Sequence, residues 1–184
     1  MIIETIVSTI SADGAPNFAP MGARIAKEGQ WSIVVYHGSR TYQNLRASRS
    51  CVINLASDVR LFVLTALDDH TPAYKMAATA KGATMDDADE ALDFVVKSEM
   101  EMDGKTEFIG RITGRRVIKT PAAGYCRARG AVIEALITVT RKGVLPDSQI
   151  VDQLGRSRVI VDKTGGAEEL EAMELIEKHW SEND

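Results

Sequence analysis

The sequence Asn17-Phe18-Ala19-Pro20-Met21-Gly22 opens the stretch of the chain, residues 17–56, that decides its fold. It leads into the apolar run Trp31–Tyr36, then into a loop and a short helical run at residues 37–48, and then into the apolar run Cys51–Ala56. Short apolar runs bounded by turn residues are typical of buried strands. The order strand, strand, helix, strand predicts a helix start beside the edge of a small barrel.

Three strands are predicted in the first 36 residues of the chain. β-Branched residues dominate Ile2–Ile10, and Trp31–Tyr36 is apolar at nearly every position, with a further predicted strand at Phe18–Lys27 between them. Strands joined by such short turns form an antiparallel meander. Pro20 has no N–H group, so it fits only a strand edge or a bulge.

A hairpin is predicted in the middle of the chain. Side chains of alternating character run through Phe94–Met102, and the following Asp103-Gly104 suits a tight turn that needs positive φ. The return strand is predicted over Phe108–Thr120. Gly110 and Gly114 interrupt it, which indicates the bulges or bends that a barrel needs at its corners.

Helices are predicted between these strands. Ser39 is a suitable N-cap for a helix over Arg40–Ser48, and a second, apolar helix is predicted over Val59–Leu67. The acidic start of Asp86–Leu92 predicts a further short helix. His70–Ala83 is predicted to be irregular because proline and glycine interrupt it.

The pattern becomes helical after residues 121–125. Apolar residues recur at helical spacing from Ala128 to Val139, and amphipathic helices are predicted over Asp147–Val161 and Ala167–Trp180. The fold class predicted from these patterns is α+β, with a mainly antiparallel β-barrel followed by a C-terminal helical region.

Length and composition are those of one domain with an appendage. The chain has 184 residues, of which 45% are hydrophobic, enough for a core without disulfide staples. We predict a barrel domain at residues 1–122 and a helical region at residues 123–184, packed on the barrel or at a dimer interface.

Several classes of protein are excluded by charge and pattern. A net charge of −4 without a basic stripe argues against nucleic-acid binding. No apolar run approaches the ~20 residues of a membrane span, and Met1–Glu4 does not begin a signal peptide. A cytoplasmic protein is therefore expected. Cys51 and Cys126 are predicted to be buried thiols, and three scattered histidines give no metal-ligand spacing.

The helix start at Ser39-Arg40-Thr41 has the chemistry of a phosphate site. Backbone N–H groups at a helix start lack intrahelical partners, and the helix dipole is positive there. Two hydroxyls and a guanidinium add further donors. An ordinary capped helix is the alternative.

Asn17–Gly22 adds a second candidate site. Gly22 allows a ligand to approach the backbone closely, and Pro20 leaves neighbouring strand groups free to face the heteroatoms of a ring. The alternative is a strand edge blunted against aggregation.

Taken together, these segments resemble the flavin reductase-like FMN-binding split barrels. The shared pattern is Asn-x-Ala-Pro, a strand, Ser/Thr and Asn at a helix start, and a strand that ends in Asn-Leu. Within that group the chain is most similar to the family DUF447, known mainly from archaea and from bacteria with methanopterin-type one-carbon chemistry. It departs from the family pattern at Cys126, where the family tends to have Asn. The resemblance covers most of the chain and is carried by Ala19–Gly22, Thr41–Leu45, Arg127-Ala128, Ala131–Ala135, Thr140-Arg141 and Lys163–Gly166.

The resemblance implies a split β-barrel with added helices and FMN held non-covalently at a homodimer interface. A barrel this small has no interior room for a flavin, so the cofactor must lie in an outer crevice. Arg24, on the same strand face as Gly22, meets the phosphate or the N1–C2=O side of the ring, or is simply solvated. The other implied cofactor residues are Met21 and Gly22 at the ring edge, and Ser39, Arg40, Thr41 and Asn44 at the phosphate and ribityl chain.

Three functions follow from this resemblance. The first is an FMN-dependent oxidoreductase acting on a small molecule, with methanopterin-type one-carbon metabolism as a hypothesis. The second is a non-catalytic FMN-binding or sensor module, and the third is a flavin-free structural homodimer. No catalytic residue is identified: His37 is either a proton donor or a surface residue, and Arg127–Arg141 either binds an anionic substrate or forms surface ion pairs.

Overall fold

The computed structural model describes residues 2–26, 29–68, 70–120 and 126–182. The chain forms two compact units, one of residues 1–56 with 71–121 and the other of residues 57–70 with 122–184. The sequence placed residues 57–70 with the barrel, whereas here they cluster with the C-terminal helices. The predicted boundary at residues 121–125 lies outside the described residues.

The secondary structure follows the predicted order for most of the chain. In the described residues the second unit contains the helices α2 (Val59–Leu67), α3 (Arg127–Val139), α4 (Asp147–Thr164) and α5 (Ala167–Glu182). The first unit contains β1 (Ile2–Ile10), β2 (Pro16–Ile25), β3 (Gln30–Tyr36), α1 (Arg40–Ser48), β4 (Ser50–Leu55), β5 (Tyr74–Met76), β6 (Ala83–Met85), β7 (Glu90–Met102) and β8 (Lys105–Val117).

The first unit is a closed antiparallel barrel with the strand order β1-β2-β3-β8-β7-β4. Alternate residues of each strand face its interior, among them the fully buried Ala23, Ile33, Phe94 and Phe108. Leu45 packs against this core, so α1 closes the end of the barrel that it joins. The predicted split β-barrel with added helices is therefore confirmed.

The barrel is split between β2 and β3. β2 pairs with β1 along nine residue pairs, from Ile2↔Arg24 to Ile10↔Pro16. Its ladder with β3 has three pairs, from Ala23↔Ile33 to Ile25↔Trp31. The edge of β2 from Pro16 to Gly22 therefore lies outside that ladder.

The two predicted bends in the return strand are confirmed. The register of β7 against β8 shifts between Asp93 and Phe94, opposite Gly114, and again beyond Val96, opposite Gly110. A Cβ atom at Gly110 would lie 2.2 Å from the carbonyl oxygen of Val95. Only glycine allows the two strands to approach so closely at this corner.

Two local predictions are wrong. Asp86–Leu92 is not a helix, because Glu90 already pairs with Leu55 and Val117 as the first residue of β7. Strand pairing on both sides outweighs the local acidic helix-start signal. The segment His70–Ala83, predicted to be irregular, includes β5, which forms a short hairpin with β6.

This hairpin is held on the outer face of the barrel by buried polar groups. Ser8 Oγ donates to the carbonyl of Ala83 at 2.6 Å, and Asn54 Oδ1 accepts from the N–H of Met85 at 3.0 Å. These side chains replace the water that the hairpin backbone would otherwise bind.

A buried ion pair joins the end of the hairpin to β7 and β8. The carboxylate of Asp93, 1% exposed, accepts from both terminal nitrogens of Arg116 at 2.7 and 2.8 Å and from Thr79 Oγ1. Hydrogen bonds from Arg116 hold the pKa of Asp93 below its ordinary value, against the opposing effect of burial.

The second unit is a cluster of four helices in the described residues, and their apolar faces meet in a common core. α3 packs against α4 and α5, and α2 packs against α3 and α5. Arg60 reinforces the start of α2, because it binds the N-cap carboxylate of Asp58 and reaches Glu171 of α5 at 2.9 Å. None of the described helices is both long and apolar enough to cross a membrane.

We expect Asp93→Asn to lower the free energy of unfolding by about 3 kcal/mol, because it leaves the Arg116 guanidinium without its buried counter-charge. Urea unfolding followed by circular dichroism measures the change. The matched control is Glu90→Gln, which removes the more exposed pair with Arg115 and should cost under about 1 kcal/mol.

The same pair gives a pH dependence. Because the pKa of Asp93 is lowered on folding, its contribution is complete above the ordinary value of 3.8 and is lost as the pH falls through the lower, folded value. Below pH 3.8 the difference between wild type and Asp93→Asn should shrink. An unchanged difference would show that the carboxylate charge does not stabilise the fold.

Candidate functional site

The candidate site is the split beside β2, where the first turn of α1 meets the strand edge. Asn17 Nδ2 donates to Thr41 Oγ1 at 3.0 Å. Asn17 is paired in the β1–β2 ladder with Thr9, whose hydroxyl accepts from Asn44 Nδ2 at 3.0 Å. Two side-chain hydrogen bonds therefore fix α1 to the β1–β2 hairpin near the turn that joins the two strands.

Ser39 caps α1 as predicted. Its hydroxyl oxygen accepts from the N–H of Tyr42 at 3.2 Å and its proton goes to the carbonyl of Tyr36 at 2.8 Å. This satisfies one of the first-turn N–H groups and ties the helix to the end of β3. The hydroxyl of Ser39 is thus occupied within the chain, so a phosphate here would meet the backbone of the first turn.

Thr41 keeps a donor for a ligand. Its side chain is almost fully buried, and its oxygen accepts from Asn17. A threonine hydroxyl that accepts one bond still has its own proton to donate. Arg40, beside it, is exposed at the start of the helix. The first turn of α1 therefore presents a hydroxyl and a guanidinium next to backbone N–H groups that the helix itself does not use.

The three predicted residues of β2 lie further along the strand. The side chain of Met21 packs on the barrel core, so only its backbone can face a ligand in the split. Gly22 faces outwards, and a Cβ atom there would lie 2.8 Å from Cγ2 of Ile2. Arg24 also faces outwards, is 55% exposed, and has Nη1 3.8 Å from Glu107 Oε1.

The structure thus separates the predicted cofactor residues into two groups. Ser39, Thr41 and Asn44 lie with Asn17 at one end of β2. Arg24 is seven residues further on, which corresponds to roughly 23 Å of strand. A ligand in contact with both groups has to run along the β2 edge. Asn17 and Thr9 complete the first group; Asn17 stands in the Asn-x-Ala-Pro motif, but no sequence signal marked Thr9.

His37 is held at the end of β3. Its Nε2 lies 2.9 Å from Thr106 Oγ1 and 3.2 Å from Glu101 Oε2, and its ring packs on Tyr42 with centroids 4.7 Å apart. The imidazole is therefore oriented by β7, β8 and α1. Its role as a proton donor stays a prediction.

The C-terminal half of α1 is also anchored. Glu99 of β7 binds Arg46 and Arg49, the C-cap residue that follows α1, and Arg46 also reaches Glu101 at 3.0 Å. Partly exposed pairs of this kind contribute little each, but as a network they fix the helix against β7. Both ends of α1 are thus tied to the barrel, which positions its first turn.

Some arginines of the second unit form ion pairs with acidic side chains of the same unit. Arg129 donates to Glu169 at 3.1 Å, and the N–H of Gly166 donates to the same carboxylate at 2.8 Å. Burial opposes ionisation of Glu169, but these bonds outweigh it and hold its pKa below the ordinary value. Cys126, where the sequence departs from the family pattern, is the N-cap of α3 and gives it no side-chain cap bond.

No group of three or more potential metal ligands occurs among the residues that the structure describes. Cys51 and Cys126 are both free thiols. Burial raises the pKa of the Cys51 thiol far above its usual range, with a further contribution from the nearby Asp93 carboxylate, so Cys51 is not a nucleophile at neutral pH.

Comparison with protein families identifies the chain. Residues 3–119 match the N-terminal domain of the protein of unknown function DUF447, and residues 126–178 match the second DUF447 domain. The chain belongs to the DUF447 family. The predicted family is therefore confirmed over most of the sequence.

Solved structures confirm the fold. The FMN-bound DUF447 protein MM1853 from Methanosarcina mazei superposes with a TM-score of 0.85 at 23% identity, covering 97% of this chain and 94% of that one. The flavin reductase of styrene monooxygenase from Pseudomonas putida S12 has a TM-score of 0.54 at 16% identity, covering 64% and 82%. Flavoredoxin from Methanosarcina acetivorans has a TM-score of 0.56 at 12% identity, covering 63% and 68%.

We expect Ser39→Ala to lower the free energy of unfolding by about 1 kcal/mol, through loss of the N-cap of α1. Ser39→Asp retains a cap acceptor and should stay within about 0.5 kcal/mol of wild type. Urea unfolding measures both variants. Equal losses in the two variants would show that the cap bond does not stabilise α1.

Proposed function

We propose that this DUF447 protein binds FMN non-covalently in the split beside β2 and acts as an FMN-dependent oxidoreductase on a small molecule. The observation that carries the proposal is the β2 edge from Pro16 to Gly22, which lies outside the β3 ladder and meets the first turn of α1 at the Asn17–Thr41 bond. A strand edge beside a helix start offers backbone donors to a ring and to a phosphate at once.

The phosphate belongs at the first turn of α1. The helix dipole favours an anion there, and the donors of Thr41 and Arg40 lie in the same turn. No carboxylate stands in this turn. Asn44 is turned towards Thr9, so its contribution is to hold the helix in place.

The ring belongs along the β2 edge. Pro20 supplies no N–H group, which leaves the N–H and C=O groups around it to pair with ring heteroatoms. Gly22 carries no side chain, and Cγ2 of Ile2 lies where its Cβ atom would be, so a planar ring would approach the backbone there from the open strand edge. The FMN-bound relative from Methanosarcina mazei and the flavin reductase-like folds of the other neighbours support this proposal.

Bound FMN would supply reversible electron and hydride transfer at its ring. The residues of this chain would bind and orient it. Arg24 lies two residues beyond the open edge, within the β3 ladder, where a cation would stabilise negative charge on a reduced ring. A methanopterin-linked substrate stays a hypothesis that rests on the family alone. A cytoplasmic location is part of the proposal and agrees with two unpaired thiols.

Two other functions are distinguished by simple observations. A non-catalytic FMN-binding or sensor module would hold FMN but not accept electrons from NADH or NADPH. A flavin-free structural homodimer would not take up FMN at all. Bleaching of the flavin absorbance by a reduced nicotinamide nucleotide favours the oxidoreductase.

A homodimer is also proposed, and exposed apolar side chains support it. Tyr36, Met100 and Met102 are 69%, 49% and 37% exposed. Their register across Lys105 and Glu107 of β8 places all three on the same outer face of the barrel. Apolar residues grouped on one sheet face are typical of association surfaces.

FMN binding is tested with Ser39→Asp, which keeps the helix cap but adds a negative charge beside the proposed phosphate. We expect its FMN affinity to fall by at least about tenfold, because like charges a few ångströms apart cost more than the equivalent of 1.4 kcal/mol. Quenching of flavin fluorescence measures the dissociation constant. Riboflavin, which has no phosphate, is the matched ligand and should bind both proteins equally.

Wild-type protein that takes up no FMN would overturn the proposed function. An equal loss of affinity for riboflavin and FMN would place the phosphate elsewhere.

The dimer is tested with Met102→Asp, which puts a charge into the apolar face beside Lys105. Size-exclusion chromatography with light scattering should give twice the chain mass for wild type and one chain mass for the variant. Val144→Asp, at an exposed valine of the second unit, is the control and should leave the mass unchanged. A monomeric wild type would contradict the proposal.

A further inference from the structure

The outer face of the barrel has a crevice that shares Arg24 with the proposed FMN contacts and extends beyond them. It measures about 480 Å³, within the usual range for small-ligand sites. It lies over the C-terminal end of β2, the N-terminal end of β3 and the segment of β8 that contains Glu107 and Ile109. Its lining includes Arg24, Trp31, Ser32, Glu107 and Ile109.

A carboxylate stands at the floor of this crevice. The side chain of Glu107 is 13% exposed, and its Oε1 accepts from the hydroxyl of the buried Ser32 at 2.7 Å. Arg24 Nη1 is 3.8 Å from the same oxygen. Both contacts involve Oε1, so Oε2 still has its acceptor capacity.

A guanidinium stands beside the carboxylate at the crevice mouth. Arg24 has five N–H donors in a planar fork, and its approach to Glu107 is an ion pair beyond hydrogen-bond length. The crevice therefore presents donors and acceptors side by side, at Arg24 and at Glu107. Ile2, opposite Arg24 in the β1–β2 ladder, and Ile109, opposite Ser32 in the β3–β8 ladder, supply apolar surface on the same outer face.

We propose that this crevice binds a neutral, planar heterocycle through an amide edge. Its C=O group accepts from Arg24, its adjacent N–H group donates to Glu107 Oε2, and its ring contacts the apolar side chains of Ile2 and Ile109. A lactam within a ring and a carboxamide attached to one both have this edge chemistry.

Charge discriminates against other ligands. An anionic group that bound Arg24 would meet the Glu107 carboxylate, and a cationic group that bound Glu107 would meet Arg24. A purely apolar ring would bury both charges without hydrogen bonds, which is costly. A neutral ligand with one donor beside one acceptor satisfies both side chains.

The crevice is next to the ring end of the proposed flavin position, because Gly22 and Arg24 face the same side of β2. The ligand's role as redox partner of the flavin rests on the proposed function, whereas its binding in the crevice does not. The assignment makes Glu107 and Arg24 residues that determine which small molecule is accepted.

The test uses FMN-saturated protein and three probes measured by isothermal titration. Lumazine has a ring lactam, nicotinamide has a carboxamide, and 1,3-dimethyllumazine is a lumazine without the N–H donors. We expect lumazine or nicotinamide to bind with one site per chain, and the dimethyl compound to bind at least about tenfold more weakly than lumazine, as loss of a charge-assisted hydrogen bond requires. Which of the two binds identifies the source of the amide edge.

Glu107→Gln is the test variant, because it keeps the shape of the side chain and removes the charge. It should lower the affinity of the bound probe by about tenfold, while FMN binding is retained. Glu90→Gln, a strand carboxylate outside the crevice, should leave both affinities unchanged, and thermal melting verifies that each variant is folded.

Absence of binding by both amide probes, equal binding of lumazine and its dimethyl derivative, or an unchanged affinity in Glu107→Gln would overturn the crevice assignment. In each case FMN binding by the same protein is measured separately. Retained FMN binding then leaves the proposed function intact, whereas lost FMN binding overturns the proposed function itself.

Discussion

The short ladder between β2 and β3 is the constraint on which the site depends. A closed barrel removes strand edges, yet here three residue pairs close the β2–β3 seam and the edge from Pro16 to Gly22 lies beyond them. Backbone groups on such an edge must find other partners. A ligand with several hydrogen-bonding atoms provides them, and Pro20 lowers the number of N–H groups that need one.

The remainder of the first unit holds this edge and α1 in register. Leu45 packs on the barrel core, the Ser39 hydroxyl donates to the carbonyl of Tyr36 at the end of β3, and Glu99 binds the other end of the helix. Because Asn17 and Asn44 bind across to Thr41 and Thr9, the first turn cannot shift without breaking two side-chain bonds. A preorganised helix start gives an anion its donors without reordering.

The parts of the fold that the sequence predicts well are those with strong local patterns. Composition predicts the strand Ile2–Ile10, and the Ser39 N-cap predicts the helix Arg40–Ser48. The glycines that interrupt the return strand predict the bends at Gly110 and Gly114. The strand state of the segment Asp86–Leu92 was not predicted, because it comes from pairing with β4 and β8 across long sequence separations. Local acidic residues carry no information about such pairing.

The sequence predicted which strands and which helix form the site, but not that the predicted cofactor residues lie in two separate groups. Motifs place Ser39, Thr41 and Gly22 near a cofactor, yet only the structure shows that α1 contacts the Asn17 end of β2, so that Arg24 lies at the other end of the strand. No sequence motif marks Glu107, because its proximity to Arg24 and Ser32 arises from the strand order β2-β3-β8. Side chains from three strands meet there, and no single stretch of sequence contains them.

The central claim is that a flavin lies in the split with its phosphate at α1. A crystal structure of the protein with FMN tests it most directly. We predict phosphate oxygens within hydrogen-bond distance of the first turn of α1, at Thr41, and a ring along the β2 edge towards Gly22. A flavin bound away from that edge, with the first turn of α1 outside hydrogen-bond reach of its phosphate, would contradict the proposed FMN site.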